Sequence, residues 1–321
     1  MLKGWEFRKT NEPLELVEKE IPAAKKGYAV IKVDACGLCH TDVTTLEDPG
    51  WMDILGKVPV ILGHEIAGTI IEIGEGVDNV AVGDRVAVCP MPGFDGTGAA
   101  NGRDGGYATH TTAPHDMLIK VPEGVDMKQA AASTDAGMTP YHAVVDRGGV
   151  AKGTKVGMIG IGGLGRLGVN IAVELVAEGY VASRKESARQ NALDLGVKEA
   201  TENILEFKDR GLEVVIDFAG AGQTTEDALE VVAPGGKVVV VGMSSLVTKV
   251  NTGTLIMKEA DILGSVGGTK EDIEAVLRMM KEGRLRIDVE ETTLDKVPEG
   301  LDRLHAGEVE GRLIMVNRDD N

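Results

Sequence analysis

The run KVGMIGIGGLGRLGVNIAVEL (155–175) decides the fold. It opens on a short apolar stretch, passes through Gly160, Gly162, Gly163 and Gly165, and continues with Leu164, Leu167, Ile171 and Leu175 at helical spacing. Strand, glycine turn and helix, in that order, form the context in which a G-x-G-x-x-G turn binds a dinucleotide pyrophosphate. Gly160 permits the sharp turn, Gly162 lets backbone approach the phosphates, and Gly165 lets the helix pack on the strand. Gly163 and Leu164 open the helix, whose free amides and partial positive charge face the anion. The six residues alone are a weak signal, and a glycine-rich turn without a ligand is the plainer alternative. The flanking elements carry the weight.

Outward from this turn the texture alternates. KESARQNALDLG (185–196) reads as a helix closed by Gly196, EVVIDF (213–218) as a strand, 224–233 as a helix, and KVVVVG (237–242) as another strand. Strand and helix in alternation imply a parallel sheet with helices on its faces. The turn after the second strand also carries information. A carboxylate about 20 residues past the glycines selects the ribose hydroxyls of NAD. Here Ser183, Arg184 and Lys185 stand instead, a hydroxyl and two cations that attract a 2′-phosphate. The expected cofactor is therefore NADP(H) in preference to NAD(H). The plainer alternative is that Ser183 caps the next helix and the cations face solvent.

Residues 1–130 read differently. YAVIKVDA (28–35), VPVILGHEIAGTIIEIG (58–74) and DRVAV (84–88) are β-branched runs broken by turn residues. MPGFDGTGAANGRDGG (91–106) reads as a glycine-rich surface connection. The tail supplies two amphipathic helices, DIEAVLRMMKEG and GLDRLHAG, and a last strand, RLIMV. Over 321 residues this suits two domains. The net charge is −17, which argues against binding nucleic acid or an anionic membrane surface. Three cysteines, Cys36, Cys39 and Cys89, cannot staple such a chain and suit a reducing compartment. No stretch approaches the ~20 apolar residues that span a bilayer, so the expected location is cytoplasmic.

Cys39 and His64 stand in CHTD (39–42) and GHE (63–65), within the β-rich half. Thiolate and imidazole are natural zinc ligands, and a catalytic zinc takes three protein ligands and one open position. Singly, each reads as a buried small residue and a satisfied histidine; their pairing beside a dinucleotide fold is what matters. Cys36 forms C-x-x-C with Cys39 but lacks a second pair, and reads as a small strand residue.

Taken together, ACGLCHTD (35–42), GHEIAG (63–68), DAGMTPYHA (135–143), GIGGLG (160–165) and GRLI (311–314) resemble the zinc-dependent medium-chain dehydrogenase/reductases, the alcohol dehydrogenase family. The resemblance covers nearly the whole chain. It implies an α/β protein: a GroES-like β-rich catalytic domain over 1–136 and 267–321, and a doubly wound Rossmann domain over 137–266. It implies an oxidoreductase interconverting an alcohol with an aldehyde or ketone, as a homodimer or homotetramer. Cys39 and His64 match the first two zinc ligands and Asp135 stands at the third, where the family commonly has cysteine. Thr41 matches the hydroxyl that passes the alcohol proton, Asp42 the carboxylate orienting the ligand histidine, and Glu65 the acid behind the metal. Thr139, Val241 and Gly242 match cofactor contacts near the nicotinamide, and Arg312 an arginine reaching the pyrophosphate. Thr44 replaces a histidine that often ends the proton relay. The four-cysteine structural zinc lobe is absent, which implies one catalytic zinc per chain and no structural zinc. Trp51 is in a segment that borders the family's substrate pocket, and the KVVVVGM strand is expected to pair edge to edge across a two-fold axis. Domain closure is expected to exclude water during hydride transfer. Two other readings fit the scaffold: a zinc-free quinone or enoyl reductase, and a non-catalytic relative.

Overall fold

The structure is a computed structural model that describes residues 1–52 and 55–318; the side chain of Trp51 lies outside the described residues. The chain forms two compact units, one running from Met1 to Asp135 and resuming at Thr269, the other spanning Ala136–Gly268.

In the first unit a mainly antiparallel sheet runs in the order Leu118–Lys120, Arg85–Val88, Glu65–Ile73, Tyr28–Gly37, Arg312–Val316, Val289–Thr292. His110–Pro114 also pairs with Tyr28–Gly37. The central strand YAVIKVDACG buries Ala29, Val30, Ile31, Val33 and Cys36 completely, which is why its β-branched run barely alternates. Ile66, Ile70, Val86, Val88, Leu313 and Met315 complete this core. The register sets the site: Gly37 pairs with Glu65 on one side and with Ile314 on the other. Three neighbouring strand ends therefore bring Gly37, Glu65 and Arg312 together. Gly37 is required there, because a Cβ would come within 2.0 Å of Glu65 Oε2.

The connection 91–106 is more than a surface loop. It folds two short strands, Gly98–Ala99 and Gly102–Arg103, and buries Arg103, whose Nη1 donates to Thr112 O at 2.9 Å. Phe94 packs edge-on against Tyr28, and the Tyr28 hydroxyl donates to Asp95. Sequence reading missed this because glycine content marks where backbone bends, not what the intervening side chains bury.

The second unit is a six-stranded parallel sheet in the order Glu199–Thr201, Glu178–Ala182, Lys155–Ile159, Leu212–Asp217, Val232–Val240, Asp261–Gly264. Counted along the chain this is 3-2-1-4-5-6, the doubly wound dinucleotide-binding order. KVVVV is not an edge strand, contrary to the expectation: Asp261–Gly264 pairs outside it. That short strand follows a helix, Thr252–Lys258, and offers little periodicity of its own. Among the described residues no helix is long and apolar enough to cross a membrane.

Candidate active site

Cys39 ends the loop after the central strand and starts the helix His40–Glu47. His64 precedes the strand Glu65–Ile73, following Gly63 at φ +89°. A Cβ at Gly63 would strike the Tyr107 ring at 2.5 Å, so glycine lets this turn lie flat on that ring. Asp135 sits in a π-helical turn, Ser133–Gly137, that continues the helix Met127–Ala132. Such widened turns recur at functional sites.

These segments converge. Cys39 Sγ is 3.4 Å from Asp135 Oδ2, and His64 Nε2 is 3.9 Å from the same oxygen. One ligand atom from each of Cys39, His64, Glu65 and Asp135 falls within 4.8 Å of all the others. Bonds of about 2.3 Å to sulfur and about 2.0 Å to nitrogen or oxygen, at tetrahedral angles, give ligand–ligand edges of about 3.3–3.5 Å. The observed separations fit a zinc-sized ion with small adjustment. Cys39 is 8% exposed, so the donor set is largely withdrawn from water.

Electrostatics point the same way. Burial opposes a charged His64, yet Asp42, Asp135 and Cys39 around it outweigh burial and raise its pKa well above the usual histidine value. The pocket favours positive charge. Asp42 lies 3.5 Å from His64 Nδ1 through Oδ1, while Oδ2 accepts from the Tyr107 hydroxyl at 2.7 Å and from the Cys39 amide at 3.2 Å. Burial, with Asp42 adding to it, holds the Tyr107 phenol well above its ordinary pKa, so it remains a donor. Thr41 is exposed, with Oγ1 3.5 Å from Cys39 Sγ. The Thr44 hydroxyl donates to His40 O at 3.0 Å and so turns into its own helix. Burial pushes the Cys36 thiol well up. That leaves it an inert core residue.

Arg312, expected to reach the pyrophosphate, makes contacts within the first unit that the sequence did not signal. Its guanidinium is buried, with Nε donating to Glu65 Oε2 at 3.0 Å, Nη2 against Glu65 Oε1, and Nη2 donating to Asp135 Oδ2 at 2.9 Å. The strand register delivers it to two carboxylates. Sequence reasoning missed this contact, and it missed Tyr107, for which no motif gives a signal. Gly37, between the two cysteines, was the one visible hint of close packing.

In the second unit Gly160 has φ +83°, and a Cβ there would come within 2.7 Å of Ala219 N. A Cβ at Gly165 would meet Gly160 O at 2.1 Å, whereas one at Gly162 would meet nothing within 4 Å. The helix is Gly163–Glu174, with Gly162 as N-cap, and its first bond runs from Arg166 N to Gly162 O. The amides of Gly163, Leu164 and Gly165 are therefore left facing out of its N-terminal end. A strained turn, an open position and a close contact are the features a pyrophosphate cradle needs.

Ser183 follows the strand Glu178–Ala182, and Arg184 and Lys185 are exposed. The helix Glu186–Leu195 has Lys185 as N-cap and no side-chain cap, so Ser183 does not cap it. Arg189, unremarked in the sequence, donates to Ser183 O at 2.7 Å and fixes this corner. Val241 and Gly242 amides donate to Asp217 O, and Gly242 packs on Phe218–Gly220. Thr139 is buried on the short helix Met138–Tyr141.

Comparison with known proteins adds relatives. The family described as the alcohol dehydrogenase GroES-like domain matches residues 25–123, and zinc-binding dehydrogenase matches 163–282. An alcohol dehydrogenase of Geobacillus stearothermophilus is 30% identical, with 98% of each chain covered. The structure of acetophenone reductase from Geotrichum candidum in complex with NAD is 30% identical, with a TM-score of 0.87, covering 100% of this chain and 98% of that one. An alcohol dehydrogenase from the hyperthermophilic archaeon Aeropyrum pernix has a TM-score of 0.88 at 25% identity, covering 98% and 100%.

Proposed function

This chain belongs to the zinc-type medium-chain dehydrogenase/reductases, the alcohol dehydrogenase family, and from that premise we propose that it interconverts a small alcohol with its aldehyde or ketone, using one zinc ion per chain and NADP(H) in preference to NAD(H). The observation that carries the reading is the convergence of Cys39 Sγ, His64 Nε2 and Asp135 Oδ2 at separations of 3.4 and 3.9 Å.

Cys39, His64 and Asp135 would hold the metal, with Glu65 behind them. A zinc ion held there supplies Lewis acidity, lowering the pKa of an alcohol and polarising a carbonyl. A nicotinamide cofactor supplies or accepts the hydride. Asp42, by engaging His64 Nδ1, fixes the ring so that Nε2 faces the donor set. Thr41, exposed beside Cys39, carries the alcohol proton outward by its hydroxyl. Thr44 takes no part, since its hydroxyl is bound to His40 O. Gly160, Gly162, Gly163, Leu164 and Gly165 cradle the pyrophosphate, and Ser183, Arg184 and Lys185 receive the 2′-phosphate. Thr139, Val241 and Gly242 border the nicotinamide.

We assign a homo-oligomer from the edge of Asp261–Gly264, open among the described residues, and the exposed Met257 and Val266, 83% and 78% accessible, which precede and follow it in the chain. Three free, buried cysteines suit a reducing, cytoplasmic setting.

Metal analysis of the purified protein, joined to initial rates over a panel of aldehydes, ketones and alcohols with NADPH and NADH, tests the reading. One zinc per chain, loss of turnover in Cys39→Ala and a higher kcat/KM with NADPH are expected. A metal-free protein that reduces quinones unaffected by Cys39→Ala would instead identify the zinc-free reductase; a clear preference for NADH would overturn the cofactor assignment.

A further inference from the structure

We propose that Arg312 sets how tightly the metal is held, acting through Asp135. The inference rests on Cys39, His64 and Asp135 being the metal ligands. One oxygen, Asp135 Oδ2, faces Cys39 Sγ at 3.4 Å, His64 Nε2 at 3.9 Å and Arg312 Nη2 at 2.9 Å. The atom offered to the ion is thus also the acceptor of a permanently charged guanidinium. The fork's remaining contacts go to Glu65, which is fully buried. Asp135 cannot turn away without giving up its bond to Arg312 Nη2.

Two effects follow, and they oppose. The fork holds Asp135 in place, which favours binding. It also draws charge from the ligand oxygen, which leaves that oxygen a weaker donor to a divalent ion. In a site this withdrawn from water, the competition of two cations for one oxygen is large, because little solvent screens it. The second effect wins, so Arg312 tempers affinity. A thiolate at position 135 would be a poorer acceptor for the guanidinium, so the device depends on this chain having aspartate there. Arg312 is a positioning residue: it reaches the ion only through Asp135.

The test measures zinc affinity by competition with a chromophoric chelator, independently of turnover, in wild type, Arg312→Met, Asp135→Cys and the double variant. Arg312→Met is expected to bind zinc at least about tenfold more tightly than wild type, and the gain is expected to shrink severalfold when position 135 is cysteine. Unchanged or weaker binding in Arg312→Met, or an equal gain in both backgrounds, overturns the proposal. Should Arg312→Met fail to fold, Arg312→Lys replaces it in the same cycle: a shift in affinity with Asp135 that vanishes with cysteine supports the coupling, and no difference between backgrounds overturns it. If wild type itself binds no zinc, the metal reading of the site fails, which is a distinct outcome.

Discussion

Asp42 is 3% exposed and serves three groups at once: the His64 ring, the Tyr107 hydroxyl and the Cys39 amide. Asp42→Ala strands a fully buried phenol and an amide, each at about 1–3 kcal/mol. It also frees the ligand ring, which typically weakens metal binding about 10–100-fold. Thermal unfolding of the metal-stripped protein should show the first loss and a zinc titration the second; an Asp42→Ala protein with unaltered zinc affinity would remove Asp42 from the site. The CHTD motif made Asp42 visible as the orienting carboxylate. Nothing in the sequence pointed to Tyr107, because its partner lies 65 positions away and the contact exists only after the sheet has formed. Arg312 shows the same limit, since a motif names a residue without naming what the strand beside it will present.

At the scale of the element, the glycine turn separates folding from binding. Gly160→Ala forces a Cβ at φ +83° into backbone at Ala219, and Gly165→Ala forces one against Gly160 O. Both should lower the melting temperature, by roughly 1–3 kcal/mol or more in stability. Gly162→Ala meets open space. It should leave the melting temperature nearly unchanged while weakening NADPH binding, read by quenching or calorimetry. Equal stability losses at Gly160 and Gly162 would count against this division of roles. At the end of the neighbouring strand, Ser183→Asp should move the NADPH/NADH ratio of kcat/KM towards NADH by at least about tenfold, through repulsion of the 2′-phosphate. An unchanged ratio would exclude that corner as the discriminating one. These strands, their order and the turn were legible because local periodicity encodes them. The helix His40–Glu47 and the folded connection 91–106 were not, the first being two turns long and the second held by Phe94 on Tyr28 and by buried Arg103.

For the whole molecule, three of the most exposed apolar side chains stand before and after the strand Asp261–Gly264 in the chain, Ile256 at 70%, Met257 at 83% and Val266 at 78%, and the outer edge of that strand pairs with no other among the described residues. Isolated apolar residues on a surface mean little, but an open strand edge flanked in the chain by several calls for a partner. Replacing Met257 and Val266 by Lys should shift the molar mass from light scattering to that of a single 33.8 kDa chain. A wild-type protein already at that mass would refute the assignment. The discontinuity of the first unit reaches further, into the order in which the molecule can be born. Val316 zips onto Ala35 and Met315 onto Cys36, so the far end of the central strand, made early, lacks this neighbour until residues 312–316 appear, whereas Tyr28–Lys32 are already covered by His110–Pro114. The nucleotide unit is contiguous and can close as soon as it leaves the ribosome. That end of the older half must then wait for residues 312–316, on the order of seconds at ordinary translation speed, with Ala35–Gly37 bare on one side and most in need of a chaperone's cover.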